Sequence, residues 1–114
     1  MTVFRPGDIS YLRIPAEDTV RLAEFYAAVF GWRTRDGRAF EDASGSVIGH
    51  FSSEHAVAGE AGFRPYVYVA SLDETLARVD ENGGAVVVDP YPEGTLEVAV
   101  IRDPAGNVLG VWTS

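Results

Sequence analysis

Any chemistry in this chain has to come from a short list of side chains. Cysteine and lysine are absent, and all nine basic residues are arginine. That removes disulfides, thiolate nucleophiles, thiolate metal sites and Schiff-base chemistry on a side-chain amine. The two histidines, His50 and His55, form a His-x4-His pair with Glu54 as the nearest acid. Such a pair across a strand end is a weak metal signature, and exposed or packed histidines account for it better. Ser10, Ser46, Ser52 and Ser53 have no accompanying histidine-plus-acid pattern of a nucleophile triad. Gly83-Gly84 follows a helix, whereas phosphate cradles precede one. Glu41-Asp42 flanks a turn and reads as solvated. What remains is a set of arginines and aromatic residues, so the question becomes which elements gather them.

The chain has 114 residues, 46% hydrophobic and 23% charged, as expected of one globular domain with a modest core. Its net charge of -8 repels nucleic-acid phosphates and would attract a cationic small molecule. No apolar run approaches the ~20 residues that span a bilayer. The opening MTVFRPGD has no apolar signal-peptide core, so a cytoplasmic protein is expected.

Residues 8–14 alternate as a strand. Asp18 caps a helix over 19–30, whose buried stripe is Leu22, Tyr26, Val29 and Phe30 and which Gly31 stops. Strands are predicted over 32–35, 38–42 and 47–52, with a hairpin at Asp36-Gly37. Residues 53–62 are small and polar, and 53–63 reads as a linker. The order then repeats: a strand over 64–70, a helix over 72–82 opened by a Ser71/Glu74 capping box and buried through Leu76 and Val79, then strands over 85–88, 97–102 and 108–112. Residues 89–94 are expected to be a loop. Tyr11 matches Arg64, Ile14 matches Val67 and Gly31 matches Gly84, each pair 53 residues apart. Val47-Ile48-Gly49-His50-Phe51 resembles Val108-Leu109-Gly110-Val111-Trp112. An internal duplication explains the common order and spacing.

Ile14-Pro15-Ala16-Glu17-Asp18, Phe25-Tyr26 and Phe30-Gly31-Trp32 together resemble the first module of the vicinal oxygen chelate superfamily, which holds glyoxalase I, bleomycin resistance proteins and extradiol dioxygenases. Arg102-Asp103-Pro104-Ala105-Gly106-Asn107 resembles the turn before its last strand. The resemblance covers residues 8–113. It implies an α+β fold of two βαβββ modules (8–52 and 64–113) in a single domain, forming a curved, cup-like mixed sheet with helices on the convex side. It also implies a homodimer. Enzymes of the superfamily hold a divalent metal at positions that map onto Tyr11, Gly49, Arg64 and Gly110. A phenol, two glycines and a guanidinium are a poor donor set, so no metal and no cofactor are expected.

Alternation then assigns the concave face. Tyr11, Arg13, Phe51, Arg64, Tyr66, Tyr68 and Trp112 are the expected ligand-binding residues, with Gly49 and Gly110 leaving room for a ligand and His50 facing away. A one-residue shift of strand four would bring His50 onto that face. An aromatic wall with a few guanidinium groups suits a small organic ligand. The expected function is metal-independent binding of such a molecule, in the manner of drug-sequestering resistance proteins. The alternatives are a metal-free enzyme using Tyr11 or an arginine and, third, a metal-dependent lyase or dioxygenase.

Overall fold

A computed structural model describes residues 4–114. The chain divides into two compact units that meet between Ala56 and Val57, inside the expected linker. Each unit is a βαβββ module.

The first module runs β1 (Tyr11–Pro15), α1 (Thr19–Phe30), β2 (Arg33–Arg35), β3 (Ala39–Glu41) and β4 (Ile48–Ser52). Its sheet order is β1-β4-β3-β2. The β1/β4 pair is parallel and the other two pairs are antiparallel. The second module runs β5 (Tyr66–Tyr68), α2 (Leu72–Glu81), β6 (Ala85–Glu93), β7 (Leu96–Arg102) and β8 (Val108–Thr113). Its order, β5-β8-β7-β6, repeats the first topology with the same parallel and antiparallel pairs. The duplication read from the sequence is therefore a duplication of topology.

Both helices begin where their caps dictate. The Asp18 side chain accepts a hydrogen bond from the Arg21 amide, and Ser71 does the same for Glu74. Helix α1 ends at Gly31, whose left-handed backbone (φ 72°) lets its amide close on the Ala27 carbonyl.

The first core is aromatic. Tyr26 from α1 stacks on Trp32 at 4.6 Å and lies 5.7 Å from Phe51, and Phe40 lies 4.8 Å from Phe51. Leu22, Phe25, Tyr26 and Val29 are buried, while Phe30 is only half-buried. The second core is aliphatic: Leu72, Val79, Ala99, Ile101, Leu109 and Val111 are all buried, with Leu76 half-buried. Full burial of each larger side chain contributes roughly 1.5–3 kcal/mol before the loss of chain entropy.

One expected loop is strand. Residues 89–94 read as a proline- and glycine-rich connection, yet β6 continues through Pro90 and Pro92 to Glu93. Two register shifts, between Val86 and Val88 and between Val88 and Tyr91, take up the irregularity. β6 lies at the sheet edge, where a missing proline N–H breaks no ladder. Among the described residues, no helix is long and apolar enough to cross a membrane.

Candidate functional site

In the first module, cross-strand register decides what faces what. Tyr11 pairs with Ile48, Arg13 with His50, and Ile14 with Phe51. Residues paired across neighbouring strands share a face. Tyr11, Arg13, Ile48 and His50 therefore lie on one side, and Leu12, Ile14, Gly49 and Phe51 on the other. The second side is the one α1 covers, since Phe51 is fully buried among Tyr26 and Phe40.

This corrects two expectations. Phe51 does not share the face of Tyr11; it is core beneath the helix. His50 does not face away; it is on the open side beside Arg13. The cause is one residue in a turn. In the first module the turn closes with the Asp42 amide on the Val47 carbonyl, and in the second with the Asp103 amide on the Asn107 carbonyl. The first turn is one residue longer. Beyond it, the Ala16 amide bonds the Ser52 carbonyl just as the Val69 amide bonds the Trp112 carbonyl. The last strands therefore match as Ile48-Gly49-His50-Phe51 with Val108-Leu109-Gly110-Val111. Matching Gly49 with Gly110 placed every side chain of β4 on the wrong face.

The glycines also have a different role from the one expected. A Cβ at Gly49 would strike the Leu12 carbonyl oxygen and come within 2.6 Å of the Phe40 ring. At Gly110 it would strike the Tyr66 ring. Each absent side chain is the seat of a neighbouring aromatic ring, so neither leaves space for a ligand.

On the open face of the first module, the Tyr11 hydroxyl lies 2.5 Å from His50 Nδ1, and the two rings meet edge to face. The His50 pKa is held below the ordinary value of 6.5, first by burial and then by the nearby Arg38 and Arg13 guanidinium groups; Glu54 opposes the effect and His55 adds to it. His50 is thus a neutral imidazole near pH 7. Among the described residues, no acid forms an ion pair with Arg13. Further along the sheet, Arg33 bonds Glu41 at 2.7 Å and holds that exposed carboxyl below its usual range.

In the second module, Tyr66 pairs with Gly110 and Tyr68 with Trp112. The Tyr68 and Trp112 rings meet edge to face at 4.9 Å. Tyr66 and Tyr68 remain 48% and 57% exposed, an unusual outlay of aromatic surface to water. Arg64 lies just before β5 and approaches Glu60 at 4.0 Å, the outer limit of an ion pair. The structure therefore groups Tyr11 and Arg13 with His50 on one module, and Tyr66 and Tyr68 with Trp112 on the other. The sequence signal that would have found His50 is Phe51 itself: a large apolar residue belongs with Val111 in the core.

The DPAGN turn is structural. One Asp103 carboxylate oxygen accepts from the amides of Ala105, Gly106 and Asn107, and the other accepts from the Asn107 side chain.

The chain belongs to the glyoxalase-like domain family, which it matches over residues 11–112. It is 29% identical to a glyoxylase-like domain-containing protein of Didymella fabae, over 94% of each chain. It shares its fold with a glyoxalase/bleomycin resistance protein/dioxygenase family enzyme from Burkholderia phytofirmans PsJN, at TM-score 0.76 and 21% identity over 94% of this chain and 98% of that one. A glyoxalase/bleomycin resistance protein from Albidiferax ferrireducens T118 superposes at TM-score 0.74 with 20% identity, covering 93% and 98% of the two chains. TioX from Micromonospora sp. ML1 does so at 0.66 with 21% identity, covering 94% and 98%.

The divalent metal of superfamily enzymes does not fit the residues present. In the first module the aligned positions are Tyr11 and His50, already bonded to each other, with the cationic Arg13 beside them. In the second module the aligned positions are Arg64 and Gly110, and a tyrosine ring occupies the space over the glycine. Among the described residues, no three histidine, aspartate or glutamate side chains gather into a metal-binding group.

Proposed function

We propose that this protein binds a small organic molecule without a metal, as a homodimer in the cytoplasm, in the manner of a drug-sequestering resistance protein. The observation that supports this reading is the aromatic row made of exposed Tyr66 and Tyr68 with half-buried Trp112. Aromatic rings left in water on a sheet face offer a planar ligand a stacking surface, at little cost in side-chain ordering. A thermal-shift screen over antibiotics and aromatic metabolites, run with and without chelator, tests it. A rise in melting temperature without turnover, unchanged by chelator, is expected. Stabilisation only in the presence of added metal would refute it.

A second reading, a metal-free enzyme, draws on the Tyr11–His50 pair, since a neutral imidazole bonded to a phenol can move a proton. Chelator-insensitive turnover of any compound that shifts the melting temperature would favour it. For the dimer, the exposed Val86 and Val88 on edge strand β6 are apolar surface that a second copy would cover. Light scattering should give twice the 12.3 kDa chain mass; the single-chain mass at micromolar concentration would contradict it.

A further inference from the structure

We infer that Arg13, His50 and Tyr11 form an oxyanion-recognition site on the open face of the first module, which takes a carboxylate- or phenolate-bearing organic ligand. This rests on the small-molecule-binding reading above and specifies the charge of the ligand's polar end.

Three observations carry it. First, register sets Arg13 directly beside His50, and exposed Arg13 has no acid partner among the described residues. A guanidinium with its donors unclaimed is the side chain best shaped for a carboxylate. Second, Tyr11 and His50 are hydrogen-bonded at 2.5 Å. Imidazole nitrogen is the stronger base and phenol the better donor, so the phenol donates to Nδ1. The imidazole proton then resides on Nε2, which becomes a second donor beside the guanidinium. Third, the far neighbour of His50 in the same row is Ala39, a small residue that leaves the imidazole uncrowded from β3.

The local field agrees with this assignment. The charged and titratable groups around His50 are Arg38, Arg13, Glu54 and His55, with Tyr11 bonded to the ring. The two arginines outweigh Glu54, so the surroundings are cationic although the whole chain carries -8. The net charge acts across the surface and is screened beyond about 8 Å at physiological salt, whereas a ligand in contact feels Arg13 and Arg38 first. An anion seated there relieves the repulsion that disfavours the imidazolium. Ligand binding and His50 protonation are therefore linked with a definite sign: the anion raises the His50 midpoint.

The test is an NMR titration of His50 in the intact protein with benzoate, and with benzamide as the neutral isostere. Trp112 indole and Tyr68 ring signals are followed in the same spectra. Benzoate is expected to perturb His50 saturably, with the millimolar affinity usual for so small a fragment, and to raise its midpoint; benzamide is expected to leave the midpoint unchanged. In Arg13→Gln the starting midpoint should already be higher and benzoate should add no further rise. In Tyr11→Phe the ring 15N signals should show the Nδ1 hydrogen bond lost. Equal effects of benzoate and benzamide on His50, no effect of benzoate, or an undiminished rise in Arg13→Gln would overturn the inference. If Trp112 and Tyr68 respond to both fragments while His50 responds to neither, the anion site fails and aromatic binding stands. If His50 responds while the aromatic row does not, the reverse holds.

Discussion

The Tyr11 hydroxyl and His50 Nδ1, 39 residues apart in sequence, meet at 2.5 Å across the parallel strands β1 and β4. The contact exists because the turn from Asp42 to Val47 has one residue more than its counterpart, which rotates the imidazole out of the helix-facing side. The His50 pKa is held below its ordinary 6.5 independently of this contact, first by burial and then by the neighbouring Arg38 and Arg13.

That shift has a consequence for stability. The folded chain holds its His50 proton less tightly than the unfolded chain does. Stability from this group is fully present above the unfolded value of 6.5 and is lost as pH falls through the folded value. Urea unfolding from about pH 7.5 down to pH 5 should show the parent losing more stability than His50→Gln. Parallel pH profiles for the two proteins would contradict the shift.

Gly49 and Gly110 should respond unequally to alanine. At Gly49 the new methyl meets the Leu12 backbone and the buried Phe40 ring, neither of which can yield cheaply. At Gly110 it meets Tyr66, a half-exposed side chain that can swing away. Gly49→Ala is expected to cost about 3 kcal/mol or more and Gly110→Ala about 1 kcal/mol, the latter with displaced Tyr66 ring signals. Chemical denaturation gives both numbers, and an equal or reversed order would show that these contacts are not the limiting ones.

Asp103 is 98% buried within its own turn, where it organises three amides and the Asn107 side chain. Replacing it by alanine strands those donors. The expected cost is roughly 2–4 kcal/mol, measured as a lower urea midpoint at constant m-value. A loss under ~1 kcal/mol would mean that the turn forms without its carboxylate.

These features were not equally legible in the sequence. The helices could be read because their ends are written in side chains: Asp18, Ser71 and Gly31 each do a local job that only a few residue types can do. The topology could be read because the two halves repeat. Strand faces depend on parity, and parity is lost when one residue is added anywhere upstream. Val-Ile-Gly-His-Phe and Val-Leu-Gly-Val-Trp look alike as strings, yet they are offset by one in the fold. Strand β6 was hidden for a related reason, because Asp89-Pro90 is a turn signal that an edge strand with bulges tolerates. Of the expected site residues, Tyr66, Tyr68 and Trp112 do share one face of the second module and Tyr11 and Arg13 one face of the first. Phe51 belongs to the core, and His50 takes the place it was given.

The proposed ligand binding uses the aromatic row and no metal. Calorimetry with the compound that gives the largest thermal shift tests it most directly, on the parent and on Tyr68→Ala, each with and without excess chelator. We expect one affinity for the parent under both conditions and a loss of at least ~tenfold, about 1.4 kcal/mol, in the variant. Binding that vanishes with chelator and returns with added divalent metal, or that is unchanged in Tyr68→Ala, would refute metal-free binding on the aromatic row.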